Sequence, residues 1–235
     1  MPLRMRPGGA LFVAVAFGVS CVASYLAFQP ARAGTLSFWL LAAGPSIVLG
    51  AFAAAWAQND DLLYEWLAPR WGDFTRGLSG AVVLFVLAWL FVRVVAPIGS
   101  IREIWLVSLY GSVGDPRVLQ THAVEVAVCV VAAAAAEEIL WRGLVTQLLA
   151  ESFGSRRAWI WAAALYALSM TPSAFSLRAG AGPNPVLFLA ALGGGLLWGG
   201  MARLFGRLAP GILAHALFDW ATVMMFPLWA IVWRR

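Results

Sequence analysis

Long apolar runs decide what this chain can become. They cover roughly 10–28, 36–56, 79–98, 120–149, 157–171, 185–205 and 209–232. Most reach or approach the about 20 residues a helix needs to cross the hydrocarbon core of a bilayer. In lipid each backbone N–H and C=O must be satisfied without water, and a helix does this within its own segment. The expected fold is therefore all-α: a polytopic membrane helical bundle of about seven transmembrane helices, forming a single integral-membrane domain over 1–235. Composition agrees, because 62% of the 235 residues are hydrophobic and 11% are charged, against about 25% charged in a soluble domain.

The net charge of +5 comes from arginine alone, since the chain has no lysine. Arg4, Arg6, Arg70, Arg76, Arg156, Arg157, Arg203 and Arg207 stand between apolar runs, where basic residues set topology and meet anionic head groups. The expected partner of this charge is the lipid bilayer, not nucleic acid. Placing the N-terminus inside puts those eight inside and Arg32, Arg102, Arg117, Arg178, Arg234 and Arg235 outside. The first run has basic residues before it and "ARAG" (Ala31 to Gly34) after it. It is longer than the 7–15 residues of a signal h-region, which favours an uncleaved span. Cys21 and Cys129 fall within runs, so no disulfide framework is expected. In the polar loop Asn59 to Arg76, Tyr64, Trp66 and Trp71 suggest an interfacial piece. Ser100 to Gly111 reads as a short surface helix, and Ser176 to Val186 as a Gly/Pro-rich loop.

The fourth run contains "AAAAAEEILWRG", Ala132 to Gly143. An ionised group at the bilayer centre costs about 2.5–3.5 kcal/mol or more, so such residues default to function. Residues four apart share a helix face, which pairs Glu138 with Arg142; Glu137 points about 100° away, its carboxylate free for another task. The last run contains "HALFD", where His215 and Asp219 are also four apart. The plain alternative for each group is a local ion pair or hydrogen bond that satisfies buried polar atoms. Convergence of both groups on one cavity would favour chemistry, and separation would sink it. His122, the chain's other histidine, lies near the start of its run and reads as interfacial. A proton-relay transporter is a third option, disfavoured by the lack of internal repeats and paired broken helices. Gly195 and Gly199 form GxxxG, read as close packing against a neighbouring helix.

"EEILWR" and "HALFD" resemble the EExxxR and HxxxN/D motifs of the CAAX-processing and bacteriocin-processing (CPBP, or ABI) family of glutamic-type intramembrane proteases. The likeness covers about 120–230 and marks that stretch as a catalytic-core region. It implies hydrolysis of a peptide bond in a membrane-anchored or lipid-modified protein or peptide by a glutamate-activated water. Catalytic residues would be Glu137 as general base, Glu138 and Arg142 as the pair that holds the motif, and His215 and Asp219 around the oxyanion and water. It also implies an integral protein of the bacterial inner (cell) membrane. No cofactor is expected: zinc wants three or four ligands, Arg142 competes for Glu138, and His215 is the one imidazole available. The family's middle motif, FxxxH, is altered. In "YALSMTP" Tyr166 takes the aromatic place and Met170 the histidine place. One outcome is activity that rests on Glu137 with help from Glu138 or Ser169, and another is a shifted substrate. The alternative is a catalytically impaired homologue that binds membrane peptides in an immunity or scaffold role.

Overall fold

The computed structural model describes residues 8–225 and 228. Arg4, Arg6, Arg234, Arg235 and the end of the last expected span past 225, apart from 228, lie outside the described residues. The chain is an all-α bundle. Four helices are long and apolar enough to cross a membrane: α1 (Gly9–Ala27), α2 (Leu36–Asn59), α4 (Asp73–Val95) and α11 (Val186–Phe205). Between α2 and α4 lies the short α3 (Leu62–Leu67). Val15, Val48, Phe52, Val82 and Val94 point outward from α1, α2 and α4. Lipid tails are as apolar as these side chains, so such faces are at home in a bilayer.

The other three expected spans are helical but broken. The stretch 120–149 divides into α6 (Pro116–Thr121), α7 (Ala123–Glu137), a π-helical segment (Glu138–Val145) and α8 (Thr146–Phe153). It is preceded by α5 (Glu103–Val113). Asp115 caps α6 by accepting from the Arg117 N–H at 2.8 Å, with Pro116 in the first turn, where its missing N–H costs nothing. The stretch 157–171 forms α9 (Ala158–Ser169), then α10 (Thr171–Ser176). Pro172 disfavours further helix at the residue before it and starts α10 instead. The last stretch forms α12 (Ala209–Trp220) followed by a second π-helical segment, Ala221–Met225.

The core surrounds the first π segment. Leu140, Leu144 and Val145 are fully buried there and Trp141 nearly so, packed with Leu148, Ala162, Ala191 and Ala214. Small residues let backbones approach. A Cβ on Gly50 would stand 2.5 Å from Ala136 Cβ, so α2 lies directly on α7. Gly195 faces Ala163 and Gly199 faces Trp159, so the GxxxG stripe packs α11 on α9 as its spacing predicts. Trp66 departs from the interfacial expectation. Tyr64 and Trp71 are exposed, but Trp66 is buried with its ring on Gly143, which has no side chain to exclude it.

The loops gather at two ends. At one, Arg207 pairs with Asp73, Arg76 lies 3.9 Å from Asp73, Arg203 donates to the Ser155 carbonyl and Leu208 N–H to that of Trp66. At the other, Gly34 N–H donates to the Ser112 carbonyl and Asn184 Nδ2 to that of Trp105. Cys21 and Cys129 are free thiols.

Candidate functional site

The π segment begins at Glu138, one residue after α7 ends. Its wider turn shifts the backbone register, and Thr146 Oγ1 donates to the Trp141 carbonyl five residues earlier at 2.7 Å. Such π turns occur disproportionately at functional sites. Glu137 and Glu138 are thereby presented to different neighbours.

Glu138 is fully buried and points to α12. Its Oε1 lies 3.2 Å from Arg142 Nη1 and 3.0 Å from His215 Nδ1. The Arg142–Glu138 pair expected from spacing is therefore present, and it has a third member in His215. The Arg142 guanidinium lies between two aromatic faces, 4.6 Å from the Tyr166 ring and 5.1 Å from the Trp198 ring. Desolvated cation–π contacts of this kind are worth about 2 kcal/mol. Trp198 in turn stacks on His215 at 3.7 Å between centroids, 16° from parallel. Gly211 gives Glu138 its room, because a Cβ there would meet Glu138 Oε2 at 3.3 Å.

Glu137 faces the other way, as expected, but its carboxylate is not free. Ser46 Oγ from α2 donates to Oε1 at 3.0 Å, and the Tyr166 hydroxyl from α9 donates to Oε2 at 2.6 Å. His215 Nε2 is 3.9 Å from Glu137 Oε2 and 3.4 Å from Asp219 Oδ2. The two motif groups thus meet: His215 sits between Glu138 on one ring nitrogen and Glu137 with Asp219 on the other. Among the described residues no three or more His, Cys, Asp or Glu side chains are arranged as a metal site.

All of this borders open space. A cavity of about 250 Å³ is lined by Ser46, Glu137, Tyr166, Met170, His215 and Asp219. A second, of about 420 Å³, is lined by apolar residues such as Phe38, Trp39, Leu84, Phe91 and Leu106. Glu137 and Asp219 line both. Ser169, considered as a helper of Glu137, is fully buried and donates its hydroxyl to the Tyr166 carbonyl, while its own carbonyl accepts from Ser24. His122 is exposed at the start of α7, 3.8 Å from Glu125 and remote from the cluster.

Residues 119–221 match the family model of the Rce1-like, type II CAAX prenyl endopeptidases. Over this stretch the chain is similar to the CAAX-protease family. No curated protein and no solved structure matches it. The matched stretch starts in α6 and ends in the first residue of the second π segment, so it contains every motif residue above. The match supports CAAX-type protease activity in general, in a chain whose long apolar helices suit a membrane. Sequence reasoning passed over three contributors to the site: Ser46, the Tyr166 hydroxyl and Trp198. Ser46 had a readable signal, a Pro–Ser pair in the middle of an apolar run. Trp198 stood among glycines that leave space for an indole.

Proposed function

We propose that the protein is an intramembrane endopeptidase in which Glu137 activates water against a peptide bond of a lipid-modified or membrane-anchored substrate. The observation that supports this is the convergence of Glu137, His215 and Asp219 on one cavity. Water held there attacks the scissile carbonyl carbon and gives a proton to Glu137. The developing oxyanion faces His215 Nε2, which in its protonated form donates to it; Nδ1 is engaged with Glu138. Asp219 orients the imidazole and the water. The tetrahedral intermediate then collapses, the C–N bond breaks, and the proton on Glu137 passes to the leaving amine. Glu138 and Arg142 hold His215 and the π segment in place. A fixed donor in a water-poor site is worth far more than one in bulk solvent.

The larger cavity supports the substrate class. It is apolar, opens beside Glu137, and suits a lipid chain or apolar anchor whose peptide enters the smaller cavity. On this reading the chain is one domain over 1–235 with its catalytic core in 120–230, and it resides in a bacterial inner membrane. The test is cleavage of a farnesylated C-terminal peptide in proteoliposomes. Glu137→Gln is expected to lower kcat by about 10²–10⁴-fold, the usual worth of a general base. Equal cleavage by Glu137→Gln and wild type would overturn the mechanism. A second reading, a peptide-binding homologue without activity, is favoured by Met170 at the histidine place. It predicts retention of the peptide uncut by both forms.

A further inference from the structure

Met170 raises a definite question, since a thioether neither donates a hydrogen bond nor takes a proton. The remaining imidazoles do not fill the gap. His122 is far away and exposed, and His215 already faces Glu138 and Asp219. Tyr166 and Met170 are four apart in sequence and line the same cavity, as residues one helical turn apart do. The family pattern puts a hydroxyl-free aromatic at the first place and the imidazole at the second. Here the polar group has moved one turn back along α9.

We infer that the Tyr166 hydroxyl stands in for the missing middle-motif histidine, as the positioning residue that holds Glu137 for its proton transfer. This rests on the reading of Glu137 as general base. Geometry carries it. The hydroxyl reaches Glu137 Oε2 at 2.6 Å, the shortest bond to this carboxylate, with Ser46 on Oε1 at 3.0 Å. A carboxylate has about four lone-pair positions. One hydroxyl on each oxygen fixes the rotamer and leaves a lone pair on each to take a proton from water. The tyrosine is itself held: it is buried, its ring lies under the Arg142 guanidinium at 4.6 Å and against Trp141 at 5.6 Å. It is an anchored donor, which a flexible hydroxyl on the cavity wall would not be. The tyrosine acts through Glu137 and is assigned no contact with the substrate.

The test uses the full chain in proteoliposomes with a farnesylated C-terminal peptide as probe. Tyr166→Phe removes the hydroxyl and keeps the ring that Arg142 rests on, so it is expected to fold normally. It should lower kcat by about 10- to 100-fold, the loss of one hydrogen bond to a charged group, with KM unchanged. Tyr166→Phe/Met170→His should recover most of that loss, because it restores the family arrangement. Met170→His alone should gain little. Wild-type kcat in Tyr166→Phe overturns the inference, and so does a double variant no faster than Tyr166→Phe. Glu137→Gln in the same assay separates the two levels: if it cleaves like wild type, the glutamate mechanism fails first. An infrared measurement decides the hydrogen bond without any substrate. The Glu137 carboxylate stretch, assigned by its loss in Glu137→Gln, should shift in Tyr166→Phe, and an unshifted band overturns the assignment.

Discussion

A single carboxylate oxygen, Glu138 Oε1, lies within 3.2 Å of Arg142 Nη1 and 3.0 Å of His215 Nδ1. One atom therefore ties the π segment to α12. Taking charges out of water is repaid only when each has a partner of good geometry. The arginine meets this condition through one carboxylate and two aromatic faces, Tyr166 and Trp198. Removing the cation leaves the fully buried Glu138 with His215 alone as its charged partner and strips the two aromatic faces of theirs. Arg142→Met should therefore destabilise the protein by about 3–5 kcal/mol, visible as a large drop in unfolding temperature in detergent. A drop no larger than that of a surface arginine variant such as Arg117→Met would show that the pair does not hold the site.

Among the elements, α2 does more than span the membrane. Gly50 and Ser46 lie one turn apart on the same face; Gly50 touches Ala136, and Ser46 reaches Glu137, the next residue along α7. The close approach permitted by glycine is thus what brings the serine to the carboxylate. Gly50→Ala would place a Cβ 2.5 Å from that of Ala136. It should cost about 1–3 kcal/mol through overpacking and lower cleavage at the same time. Gly44→Ala is the control on the same helix, because nothing lies within 4 Å of its Cβ. If both variants behave alike, the α2–α7 contact is not what positions Ser46.

Among the described residues, two cavities share Glu137 and Asp219 in their walls, one apolar and one edged with polar groups. The apolar cavity is bounded by α2, α4, α5, α7, α11 and α12, so the part of its wall formed by α2, α4 and α5 lies outside the matched stretch 119–221. This division predicts a split in substrate effects. Ala88→Trp fills the larger cavity, where Ala88 is a wall residue, and does not touch the smaller one. It should raise KM for a farnesylated peptide by about tenfold, the loss of ~1.4 kcal/mol of apolar contact. KM for the same peptide without its lipid should stay unchanged. Equal effects on both peptides would place the anchor elsewhere.

Much of this was legible in the residues themselves. Apolar runs dictate helices because unsatisfied backbone cannot persist in lipid. The four-residue spacings of Glu138 with Arg142 and His215 with Asp219 dictate pairs because a helix turn brings such residues together. The broken spans, the π turn at Glu138 and the inward turn of Trp66 were not legible. Each depends on what a neighbouring helix offers, such as the bare face of Gly143. The partners of Glu137 were the last to emerge. Ser46 and Tyr166 stand 91 and 29 residues from it in sequence, and no local period links positions so far apart. The sequence alone determined that buried charge had to be neutralised within an all-helical membrane bundle. Only tertiary packing decided which helices supply the donors, because a hydrogen bond between helices exists only at the separation their small residues allow.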